Sequence, residues 1–177
     1  MKAYLKPFIL LSACFFAENV WITLFPHLVF SDSYLYIPHF LVVCIVLSAS
    51  YYDKSVTYAF AALFGLLFDL FYTQVIGVYL FTFFIAAYFT VKLMKVLQHH
   101  LVVIGFVTCL MVGIVDILAY FLDGLLFGYS MQLEEYAQLR LWSTIVINLC
   151  FYIVVCYPFR RWFVITKRQF IEETGRR

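Results

Sequence analysis

The chain has 177 residues, of which 66% are hydrophobic, 21% aromatic and only 12% charged, with a formal net charge of +2. A soluble domain carries about 45–50% apolar and about 25% charged residues, so a soluble enzyme, a nucleic-acid binder and a secreted disulfide scaffold are all excluded. The aromatic content excludes a disordered chain, and an integral membrane protein is left.

A bilayer crossing takes roughly 20 mostly apolar residues. In chain order the sequence predicts six spans, at residues 7–26, 37–52, 55–71, 77–96, 101–127 and 139–158. The second and third are short and must borrow from their flanks, and the fifth is long enough to tilt. Helices satisfy every backbone polar group internally. Runs such as Phe81-Thr82-Phe83-Phe84-Ile85-Ala86-Ala87 lack the alternation of a barrel strand. With the N-terminus inside, every Lys and Arg except Arg140 falls on the cytoplasmic side. The expected fold is therefore all-α, a compact bundle of six transmembrane helices, N-in and C-in. It forms one domain over residues 1–158 and a basic, aromatic cytoplasmic tail over 159–177. Lys2 and Lys6 ahead of the first apolar run mark an uncleaved first helix, since no small-x-small site follows Pro26.

The segments between spans are short. The external ones are Ser31-Asp32-Ser33-Tyr34, Tyr72 to Ile76 and Gly128 to Gln138. In the tail, Phe159, Phe163 and Phe170 recur at spacings of four and seven. Arg160, Arg161, Lys167 and Arg168 stand between them as candidates for the lipid surface. Such a segment suits a helix lying on an anionic inner leaflet; a solvated tail that only supplies positive charge is the alternative. The five cysteines all fall inside spans without Cys-x-x-Cys spacing, so buried apolar thiols are expected rather than a zinc site.

Ionisable groups inside hydrocarbon are costly and face protein or a wet cavity. Here they are Glu18, Asp69, Asp116 and Asp123, with Asn19 and Asn148, and Arg140 is the cation at the outer interface. At helical spacing Tyr58, Ala61, Ala62, Gly65, Asp69 and Tyr72 make one small-and-polar stripe. Gly113, Asp116, Tyr120, Asp123 and Gly124 make another. Small residues let helices approach and polar ones bond across the contact. The stripes read either as packing seams or as an outward-facing pocket or partner site.

No enzyme motif emerges. Glu134-Glu135 followed by Arg140 is close to a Glu-Glu-x-x-x-Arg pattern, but the Arg is one residue too far. His99 and His100 fall in a cytoplasmic turn, and His27 and His39 at external span ends, where polar caps are expected. No Ser or Cys has a His placed as its base on one helix, and no Gly-rich phosphate loop is present. Neither a cofactor nor a metal is expected.

The layout resembles the bacterial rod shape-determining MreD family. The likeness covers almost the whole chain in size, six spans, short loops and cytoplasmic ends. Its most specific part is Gly65-Leu66-Leu67-Phe68-Asp69-Leu70, followed after a turn by Gly77-Val78-Tyr79-Leu80, with Pro38-His39 leading into the second span. The resemblance implies a non-enzymatic, multi-pass protein of the bacterial cytoplasmic membrane that serves the cell-elongation machinery. It implies an MreC-like bitopic protein as direct partner and, indirectly, MreB, a RodA-like glycosyltransferase and a class B penicillin-binding protein. The family's fold is also similar to the substrate-binding components of energy-coupling-factor transporters, which supplies the alternative function of vitamin or ion uptake. Such components dock through Ala-x-x-x-Ala in the first helix, and Ala13-Cys14-Phe15-Phe16-Ala17 has that spacing. The candidate partner or pocket residues are thus Glu18, Gly65, Asp69, Tyr72, Gly77, Asp116, Asp123 and Arg140.

Overall fold

The computed structural model describes residues 2–29, 34–73, 75–128 and 132–175. Ser31, Asp32, Ser33, Arg176, Arg177 and the side chain of Asp123 lie outside the described residues. The elements are α1 (Lys2–Leu24), α2 (Pro26–Val29), α3 (Phe40–Tyr51), α4 (Lys54–Tyr72), α5 (Val78–Leu93), α6 (Leu101–Phe127), α7 (Leu133–Tyr136), a π-turn (Ala137–Leu141) and α8 (Trp142–Thr174). Six of these are long helices, and among the described residues there is no strand. Tyr4–Leu24, Lys54–Tyr72, Leu101–Leu122 and Leu133–Glu173 are long and apolar enough to cross a membrane.

The axis of the bundle is α3. All 12 of its residues are buried, because α1, α5, α6 and α8 pack around it with α4 beside its end. A helix apolar on every side has no face that needs water and can be surrounded completely, and Phe-Leu-Val-Val-Cys-Ile-Val-Leu is such a sequence. At ~1.5 Å per residue α3 covers only about 18 Å. The preceding residues 34–39 are not helical. Backbone outside a helix needs partners of its own, and the π-turn and α8 supply them. The Leu35 amide donates to the Leu139 carbonyl at 2.8 Å, and the Ser143 hydroxyl donates to the Leu35 carbonyl at 2.6 Å. Asn148 Nδ2 donates to the Ile37 carbonyl at 3.0 Å, and Asn148 Oδ1 accepts from the His39 amide at 2.7 Å.

Asp53 starts α4 by accepting from the Val56 amide at 3.2 Å, and α4 then lies along α5 in the closest pairing of the bundle. Gly65 makes this possible. A Cβ built there would sit 2.6 Å from both Leu80 Cα and the Tyr79 carbonyl oxygen.

The last helix departs from the expected boundary. Proline at 158 predicts an end, yet α8 runs through it for 33 residues. Transmembrane helices tolerate a missing amide when neighbours pack around it. The phenylalanines expected to face lipid turn inward instead, with Phe163 and Phe170 almost fully buried. Phe163 and Phe170 lie 6.2 and 5.7 Å from the Tyr52 ring, and Phe170 lies 5.2 Å from Tyr4. Lys6 Nζ donates to Gln169 Oε1 at 2.6 Å. The residues expected as a separate tail are thus the closing turns of α8, clamped on α1 and on the α3–α4 corner. The thiols also divide, with Cys14 and Cys44 buried and Cys150 exposed.

Candidate functional site

The polar residues of the spans do not gather into one pocket. They form two separate buried junctions, and a further buried acid stands apart from both.

The first junction joins α6 to the N-terminal end of α8. The Asp116 carboxylate is fully buried. Arg140 donates to its Oδ1 from Nε at 3.1 Å and Nη2 at 2.9 Å. The Tyr136 hydroxyl donates to Oδ2 at 2.7 Å, and His39 Nε2 lies 3.3 Å from Oδ1. Arg140 stands in the π-turn, where the helix is wound wider than an α-helix. Its guanidinium lies 5.4 Å over the Tyr136 ring, which in turn packs 4.3 Å from the Tyr120 ring. A buried carboxylate is stable only with its lone pairs occupied, and here three different segments occupy them. The residues missed in the sequence are His39 and Tyr136. His39 stands at a span end and reads as a polar cap, yet it is 1% exposed and bonded through both backbone and ring. The available signal is that Tyr136 precedes Arg140 by one helical turn, so both can reach the same acid.

The second junction is the α4–α5 corner. Asp69 is fully buried. Its Oδ2 accepts from the Gly77 amide at 2.8 Å and the Leu80 amide at 3.1 Å, and its Oδ1 accepts from the Tyr79 amide at 2.7 Å. The Thr73 hydroxyl is 3.2 Å from Oδ1. The first amides of α5 have no partner within their own helix, and a carboxylate placed there meets both them and the positive end of the helix dipole. Gly77 turns the chain into this position with φ of +120°, a conformation that glycine adopts without steric cost. Arg140, the cation at this end of the sequence's spans, pairs with Asp116 and not with Asp69. Tyr72 is not buried with the stripe. It is the last residue of α4, at the edge of the packed corner, and is 37% exposed although its spacing puts it on the Gly65–Asp69 face. It lines a groove of about 690 Å³ between α1 and α4, together with Phe15, Phe64, Phe71 and Asn19.

Glu18 stands apart from both junctions. It is 2% exposed beside the first turn of α3, where the Phe40 and Leu41 amides face its carboxyl group. Arg160, Arg161, Lys167 and Arg168 stand at the far end of α8, away from both junctions. Among the described residues no three His, Cys, Asp or Glu side chains group so as to hold a metal ion.

Comparison with known proteins adds two findings. A family model, rod shape-determining protein MreD, matches residues 3–163. The curated rod shape-determining protein MreD of Bacillus subtilis (strain 168) is 25% identical over 173 residues, covering 98% of this chain and 100% of that protein. No solved structure matches.

Proposed function

Since the chain belongs to the MreD family of rod shape-determining proteins, we propose that it is a non-enzymatic scaffold of the cell-elongation machinery in the bacterial cytoplasmic membrane. Its direct partner is an MreC-like bitopic protein, and through that partner it serves MreB, a RodA-like glycosyltransferase and a class B penicillin-binding protein during lateral peptidoglycan synthesis. The observation that carries this reading is the family match, which runs from α1 into the last turns of α8.

The chemistry of the two junctions supports it. Asp69 is saturated by backbone amides, and Asp116 by Arg140, Tyr136 and His39. Both acids are used to lock helices together, as a scaffold requires. The bundle is N-in and C-in in this reading, because that orientation leaves Arg140 as the one externally placed cation. All six apolar segments then cross, with residues 34–39 completing the passage of α3. The structural unit is a single domain, with the basic end of α8 cytoplasmic.

Depletion of the protein in its rod-shaped host is the test. Cells should round up and regain rod shape when the wild-type chain is re-expressed, and an MreC-like protein should co-purify with it. Depleted cells that keep their shape would overturn the proposal.

A further inference from the structure

At the opposite end of α3 from His39, two adjoining clefts open beside the last turns of α8. One, of about 390 Å³, is lined by Arg160, Lys167, Arg168, His99, Ser50 and Tyr51. The other, of about 440 Å³, shares Arg160 and Arg168 and adds Arg161. The cations come from one helical face, since positions 160, 164, 167, 168 and 171 recur at spacings of three and four. Among the described residues none of Arg160, Arg161, Lys167 and Arg168 makes an ion pair.

Tyr51 gives the cleft a fixed donor. The residue is 7% exposed, and its hydroxyl is buried without a hydrogen-bond partner among the described residues. The Arg160 guanidinium lies 5.7 Å over its ring, and the His99 ring is 6.5 Å away. A buried hydroxyl left unpaired is costly, and an anionic oxygen in the cleft would accept from it while facing the three cations. The walls have a second character. Ile165 is 44% and Ile171 39% exposed, and Tyr157 is 67% exposed. Aliphatic and aromatic surface beside a cluster of cations matches a molecule with an anionic head and apolar chains, and matches neither a free anion nor an acidic polypeptide.

We propose that this cleft binds the phosphate headgroup of an anionic phospholipid. The headgroup oxygens take the Tyr51 hydroxyl, Arg160 and Arg168, and the acyl chains lie along Ile165 and Tyr157. The inference rests on α8 leaving the membrane at its basic end, and on neither the family's partners nor the side that end faces.

Full-length protein in detergent, titrated with phosphatidylglycerol or phosphatidylcholine of the same acyl chains and read by native mass spectrometry, tests it. Phosphatidylglycerol should be retained at concentrations where phosphatidylcholine is not. Arg160→Gln with Arg168→Gln should weaken that retention about 30-fold. Tyr51→Phe, which keeps the ring and its packing, should weaken it about five-fold without lowering the melting temperature. Lys54→Gln, at the start of α4, should leave it unchanged. Equal retention of the two lipids, or variants that bind like the wild type, would overturn the proposal. So would displacement of phosphatidylglycerol by low-millimolar inorganic phosphate, which assigns the site to a free anion, or by polyglutamate, which assigns it to an acidic protein.

Discussion

Asp69 holds three backbone amides of another helix with one carboxylate, so its loss has a defined cost. Asp69→Ala leaves those donors buried and unpaired, a penalty on the order of 3 kcal/mol. Asp69→Asn keeps one acceptor oxygen and should fall between alanine and wild type, while Glu135→Ala in exposed α7 should be silent. Thermal unfolding in detergent separates the three. Asp116 and Arg140 answer to a double-mutant cycle. Asp116→Asn or Arg140→Gln alone strands a buried partner, at about 3–5 kcal/mol, and the double variant should be less destabilised than the sum of the two. Additive losses would show that the pair is uncoupled. These two acids were not equally legible in the sequence. Asp69 is followed eight residues later by Gly77, and a turn that short returns the chain to the carboxylate, so the contact is local. The partner of Asp116 lies 24 residues away across a turn, and nothing in spacing alone tells which acid Arg140 will reach.

Among the elements, the α4–α5 pairing depends on one missing methyl group. A Cβ at Gly65 meets backbone, which cannot rotate away, whereas a Cβ at Gly105 meets Tyr152 Cε1 at 2.9 Å, the edge of a ring. Gly65→Ala should therefore destabilise by about 1–3 kcal/mol and Gly105→Ala by less, read as the difference in melting temperature. The small-residue stripe of α4 announced this close approach, which is why Gly65 could be singled out. Other element boundaries were harder to read. Residues 37–39 fall in a span that reads as helix, yet helix begins only at Phe40, and the Leu139 carbonyl with the side chains of Ser143 and Asn148 holds the backbone before it. Proline at 158 is a true local signal against helix, and the packing of Phe163 and Phe170 overrides it.

For the molecule as a whole, α8 matters most, because at ~1.5 Å per residue its 33 residues reach about 50 Å, well beyond a hydrocarbon core of ~30 Å. Its projecting turns are structural as well as basic. A chain ending at Pro158 loses Phe163, Thr166 and Phe170, all buried, along with the Lys6–Gln169 bond. Such a truncation should accumulate at several-fold lower levels in membranes and unfold at lower temperature. A quadruple Gln variant at Arg160, Arg161, Lys167 and Arg168 should keep its fold. Immunoblotting of membrane fractions and detergent melts distinguish the two. The membrane class and the inventory of helices were visible in composition and hydropathy, since they follow from local apolar length. The inward turn of the last helical face was not, because phenylalanine at spacings of four and seven suits a lipid surface and a protein surface equally.

The non-helical strap at residues 34–39 also sets an order of events. Its backbone partners Leu139, Ser143 and Asn148 lie more than a hundred positions later in the chain. During synthesis the strap emerges long before α8 exists, so the backbone groups of Leu35, Ile37 and His39 wait for the partners that hold them in the finished bundle. Native pairing of so wide a sequence separation carries a large loop-closure cost and forms late. The centre of the bundle is therefore completed only once α8 has been made.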